Sequence, residues 1–186
     1  MLPHMLWLLL ALAVVIVVVL LYNRLVGLRN RAEASWSDID VQLKRRHDLV
    51  ANLVETVKGY AAHEARTLQN VTEARTRAES ASGGGPRAAG QAENALTGQL
   101  RTIFALAENY PDLKANQQFQ ELHRSLVALE DAIQNARRYY NAVVRDFNTR
   151  IQSIPDMFVA RPFGFAEREY FQLDAPSEAQ APRARF

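Results

Sequence analysis

Cysteine is absent from the 186 residues, and histidine occurs only four times. Without thiols there is no disulfide framework, no thiolate zinc site, no cysteine nucleophile and no lipid-modified cysteine anchor. A reducing compartment fits that absence. The net charge of +2 is small and both signs are interspersed, which argues against a nucleic-acid partner. Strand-like alternation is missing too, apart from a few residues near "REYFQL". Nucleotide and hydrolase fingerprints are also lacking: there is no G-x-S-x-G, no P-loop and no G-x-G-x-x-G. "GGGPR" follows no strand, so it is not a phosphate cradle.

Charge is missing altogether from Met1 to Asn23, "MLPHMLWLLLALAVVIVVVLLYN". At ~1.5 Å per residue, Met5 to Leu21 covers ~26 Å, and the flanking Leu2 and Tyr22 bring this to roughly the 30 Å hydrocarbon core of a bilayer. Trp7 and Tyr22 stand near the two ends, where amphipathic rings favour the headgroup level. We expect a retained transmembrane helix over residues 5–23, after a short extracytoplasmic N-terminus (residues 1–4). A cleaved signal peptide fits less well. No Lys or Arg precedes the run, and its one A-x-A, at Ala11 to Ala13, lies mid-way along it. Arg24, Arg29 and Arg31 follow the run, so the positive-inside bias puts the C-terminal bulk in the cytoplasm of a bacterial inner membrane.

Beyond the anchor, residues 24–155 fall into three apolar-periodic segments with breaks near 80–87 ("SASGGGP") and 109–113 ("NYPD"). The third carries the clearest seam: Phe119, Leu122, Leu126, Leu129, Ile133, Ala136, Tyr140, Val143 and Phe147, at steps of three and four. The second repeats it with Leu96, Leu100, Ile103, Ala107 and Tyr110. In the first, Trp36, Leu43, Val50 and Val57 form the centre of a stripe, widened by Ile39, Leu53 and Tyr60 on one side. No break is evident between Leu21 and Ala78, so the anchor is expected to continue into the first bundle helix. The fold is all-α: a transmembrane helix running into an antiparallel long-helix bundle of three to four helices. A C-terminal docking segment (156–174) and a disordered tail (175–186) follow.

The stretch "DIDVQLKRRHDLV" (Asp38 to Val50) is the one candidate for chemistry. Asp40, Lys44 and Asp48 form an i, i+4 ladder typical of a solvated face. Asp40 and His47 are seven residues apart, about 10 Å along a helix, too far to hydrogen-bond. A general base would therefore need an acid from another helix. His63-Glu64 begins like a zinc-protease helix, but Thr67 occupies the second histidine position. No Glu-x-x-His pair offers a di-iron site. Neither catalytic, cofactor nor metal residues are expected. Asp40, Arg46 and His47 flank the apolar stripe, and Glu64 lies on its centre line, where a two-partner seam would carry aliphatics. Either such groups pair with charges on other helices, or the face is only partly buried within one chain; both favour assembly over catalysis.

At these residues the sequence resembles the LemA family of bacterial membrane proteins. "YNRLVGLRN", "SWSDIDVQLKRRHDLVANLVETVKGYAAHE", "YPDLKANQQFQEL", "RRYYNAVVRDFNTRIQSIP" and "FGFAEREYF" carry the likeness in the family's order, over most of Tyr22 to Phe171. The resemblance implies an N-terminal anchor and an antiparallel helical bundle. It implies no established reaction, cofactor or catalytic residue.

Three functional readings follow. In the leading one the chain is a non-enzymatic, self-assembling scaffold, a homo-oligomer closing into a ring through Trp36, Ile39, Asp40, Leu43, Arg46, His47 and Val50. In the second it is a monomeric adaptor, offering a groove or basic face to a signalling or proteolytic membrane partner. The third, a hydrolase built on His47 and acids from a second helix, has the least support. In all three the lipid bilayer is a partner.

Overall fold

The computed structural model describes residues 2–172. The expected tail, and the last residues of the expected docking segment, lie outside them. Six α-helices and no strand occur among the described residues: α1 (Leu2–Lys58), α2 (Ala65–Ala81), α3 (Pro86–Ala107), α4 (Pro111–Ala115), α5 (Gln117–Gln152) and α6 (Met157–Ala160). The fold is all-α, a long N-terminal apolar helix followed by a helical bundle. Of "REYFQL", the described residues 168–172 form no strand and have no regular structure, and Leu173 lies outside them.

The breaks follow local chemistry. Gly85 takes φ +91°, a conformation closed to most L side chains, and Pro86 then occupies the first turn of α3, where its missing N–H is no loss. Pro111 opens α4 in the same way. Asn116 caps α5, its Oδ1 accepting from the Phe119 N–H at 2.9 Å while its Nδ2 donates to the Tyr60 hydroxyl at 2.9 Å. One break differs from expectation. The chain turns after Lys58, with the Tyr60 and Ala61 N–H groups both bonded to the Val57 carbonyl, and a 3-10 turn at Ala62–Glu64 leads into α2. Gly59, a poor helix former, follows the last helical residue, an end that the uninterrupted apolar period hides.

Among the described residues the chain forms two compact units, residues 2–38 with 136–169 and residues 39–135 with 170–172. In the second, α2 and α3 form a helical hairpin against the last turns of α1 and the first half of α5. Val50, Leu53, Val57, Leu68, Val71, Leu96, Ile103, Leu113, Phe119 and Leu126 share one buried core. Tyr60, expected to widen the stripe, is 44 % exposed.

The first unit pairs α1 with the second half of α5 in antiparallel fashion, so that Trp36 meets Tyr140 while Leu25 meets Phe147 and Ile151. The seam of α5 continues beyond its expected end to Ile151, although Ala136 is only half-buried. From Met5 to Leu20 the side chains of α1 are exposed apart from half-buried Val18, and this helix is long and apolar enough to cross a membrane.

Candidate functional site

The charged stretch resolves into two faces of α1. Asp40 is half-buried and pairs with exposed Lys44, an i, i+4 pair at 2.6 Å. Arg46 and His47 turn inward and are 4 % and 2 % exposed. Their partner is Glu93 of α3, itself 1 % exposed. One carboxylate oxygen lies 2.6 Å from His47 Nε2, and the other accepts from Arg46 Nη1 at 3.2 Å. Arg46 Nη2 also donates to the Thr97 hydroxyl at 2.8 Å and meets Glu130 of α5 at 3.0 Å. Three helices are thus joined by one guanidinium.

This geometry fits a structural key better than a reactive centre. The imidazole Nε2 is taken up by a carboxylate that is already shared with a cation. Both are sealed from solvent, so no substrate reaches them. Among the described residues no group of three or more His, Cys, Asp or Glu side chains could hold a metal ion.

Of the seven candidate contact residues, Ile39, Leu43, Arg46, His47 and Val50 are buried by their own chain, while Trp36 and Asp40 are half-buried. Arg46, placed among the residues of the expected inter-chain contact, finds its acids within the chain. The reason is topological: α3 and α5 bring Glu93 and Glu130 to the flank of the stripe. Glu93 was legible in principle, because it sits one turn before Leu96 on the line Leu96, Leu100, Ile103, a charge where an aliphatic belongs. Glu64, the other misplaced acid, lies in the turn before α2 and accepts from the Tyr110 hydroxyl at 3.2 Å. Burial, then that hydrogen bond and the carboxylate charge, push the Tyr110 phenol above its usual value.

A second feature escaped the sequence. Between α3 and α5 run two adjoining clefts that share Phe104. One, of about 190 Å³, is lined by Leu100, Leu126 and Val127 below Arg101. The other, of about 410 Å³, is lined by Phe119, His123 and Arg124. Phe104 lies 4.4 Å from the His123 ring and 6.3 Å from Phe119, giving an aromatic floor. The rim carboxylates are already paired, Glu108 with Lys114 and Glu130 with Arg46. Arg101 forms no ion pair or side-chain hydrogen bond among the described residues, and Arg124 bonds only the Gln120 carbonyl.

Comparison with known proteins places this architecture. The chain is 28 % identical over 175 residues to Magnetosome protein MamQ 2 of Paramagnetospirillum magneticum, covering 81 % of this chain and 64 % of that protein. Magnetosome protein MamQ of Magnetospirillum gryphiswaldense matches at 28 % over 174 residues, with the same coverage. Protein LemA of Metamycoplasma hominis is 26 % identical over 152 residues, covering 81 % of this chain and 68 % of that one. The chain therefore spans just under two thirds of the MamQ proteins' length. None of these names describes a reaction. The LemA family model matches residues 35–186, from the helix carrying Arg46 and His47 onward, and the chain belongs to the LemA family.

Proposed function

We propose that the chain is a membrane-anchored adaptor of the bacterial inner membrane. It has no chemistry of its own, its N-terminus lies outside and its bundle lies in the cytoplasm. The observation that carries this reading is the α3–α5 groove, with its apolar floor of Leu100, Phe104, Phe119 and Leu126 beneath the guanidiniums of Arg101 and Arg124. Such a groove accepts the apolar face of an amphipathic helix, and the rim selects one with acidic flanks. The partner is accordingly a membrane-associated protein with an exposed acidic amphipathic helix.

Self-assembly, the leading expectation from sequence, takes second place. Its proposed seam is consumed inside the chain, since Ile39, Leu43 and Val50 are each no more than 1 % exposed. A catalytic His47 is disfavoured for the same reason.

A photo-crosslinking residue in place of Val127, 52 % exposed at the groove, tests the adaptor in native membranes. The expected product is an adduct with a different protein, lost when Phe104→Glu charges the floor. An adduct of twice the chain's mass would point to self-assembly, and no adduct at all would remove the groove from the account.

A further inference from the structure

Where α1 leaves the apolar run it meets the end of α5, and the two helices enclose a cleft of about 810 Å³ lined by Arg24, Arg31, Arg145 and Arg150, with Asp146, Thr149 and Ser153 among the remaining wall. Four guanidiniums face one carboxylate. Asp146 is taken up by Arg145 at 3.6 Å, and Arg150 pairs with buried Asp156 at 3.5 Å. Arg24 and Arg31 are exposed and form no ion pair or side-chain hydrogen bond among the described residues. The cleft therefore concentrates unspent positive charge contributed by helices more than a hundred residues apart in sequence.

Its depth is set by the helix rise. Arg24 lies three residues past Leu21, ~4.5 Å further along the axis, and Arg31 ten residues past it, ~15 Å. The headgroup layer is roughly 5–8 Å thick on each side of the hydrocarbon core, so Arg24 stands within it and Arg31 can reach back toward it along its aliphatic stem.

The wall beside the cleft points to the same plane. Val18, Leu21 and Leu28 of α1 pack against the buried cluster that holds Ile151 and Val159, and Phe165 packs on the same cluster. Tyr22 contacts Phe163 at 4.9 Å and Phe165 at 5.8 Å between ring centroids. The segment after α5 therefore lies level with the last turns of the apolar run, and there it leaves Ile154, Phe158 and Phe163 72, 67 and 56 % exposed. Large apolar side chains left bare at that level suit the acyl boundary of a bilayer.

We propose that this cleft is a binding site for the phosphate headgroup of an anionic glycerophospholipid, with Ile154, Phe158 and Phe163 dipping into the same leaflet. Guanidinium forks match phosphate oxygens two at a time, and a basic cleft between helices at the bilayer surface suits an anionic headgroup. The proposal rests on α1 lying in the bilayer, the anchor of the reading above. The two are separable by experiment.

Full-length protein in nanodiscs of phosphatidylcholine, with or without phosphatidylglycerol, tests the anchor first: failure to incorporate would overturn both claims. Native mass spectrometry of the incorporated protein, released into mild detergent, then reads retained lipid. One phosphatidylglycerol per chain is expected, held about tenfold more tightly than phosphatidylcholine. Arg31→Ala with Arg145→Ala should abolish that preference while the helical circular dichroism stays unchanged. Both residues are exposed, so their loss spares the core. Equal retention of the two lipids, or a preference that survives the double variant, would overturn the site. So would full displacement by millimolar inorganic phosphate, which would make the ligand a soluble phosphate instead.

Discussion

Glu93 is a single carboxylate, buried to 1 % exposure, that satisfies a guanidinium and an imidazole at once. Removing one member of a buried charged set costs more than the set contributes, because the remaining charge stays desolvated. Glu93→Ala is therefore expected to destabilise the bundle by about 3–5 kcal/mol, toward the low end because Glu130 still faces Arg46. Replacing Arg46, His47 and Glu93 together by Met, Leu and Leu should come within about 1–2 kcal/mol of the parent. Denaturant midpoints of the two variants check both numbers, and a milder loss in the single variant than in the triple would reject the key.

Tyr140 gives a pH-dependent counterpart. Its ring is buried against Trp36, and its hydroxyl donates to the Glu169 carbonyl at 2.9 Å. Burial pushes the phenol above its usual value, with the Glu169 charge adding to the rise and Arg168 opposing it. Folding thus favours the protonated phenol. The stability this contributes is complete below pH ~10, the unfolded value, and is lost as pH rises through the folded one. Parent protein should lose stability on that alkaline limb, and Tyr140→Phe, lacking the ionisation, should lose less.

At the scale of elements, legibility depended on how local the signal was. Proline and glycine at "GGGP" and "NYP" act on their own backbone, so both breaks could be read directly. The seams of α3 and α5 were equally plain, because core positions repeat at the helical period. Gly59 was missed because the apolar period runs unbroken through the turn. The partners of Arg46 and His47 were missed because pairing across forty-six or more residues leaves no local pattern.

The C-terminal segment shows the same non-local logic. Asn148 holds Arg168 by two bonds of 2.9 Å, one in each direction. Further on, the backbone of Gln172 passes so close to Gly90 that an added methyl would sit 2.3 Å from its carbonyl oxygen. Gly90→Ala must therefore move that segment, at a cost on the order of 1–3 kcal/mol. Tryptic cleavage after Arg168 should accelerate several-fold in the variant. Unchanged cleavage would mean that the close approach is dispensable.

For the whole molecule, the membrane helix and the bundle have different standing. A charge-free apolar run exposed along almost its full length is interpretable from sequence and structure alike. What the bundle does is a matter of which surfaces it leaves free. The stripe from Ile39 to Val57 is consumed within the chain, whereas the α3–α5 groove and the arginine cleft remain open, one suited to a protein helix and the other to a lipid headgroup. An adaptor is small until its partner arrives. A scaffold is large by itself. The mass of the purified full-length protein in several mild detergents, taken by light scattering with the detergent contribution subtracted, separates them most directly. The account predicts the mass of one chain in every detergent, and a single larger species of fixed subunit number throughout would contradict it.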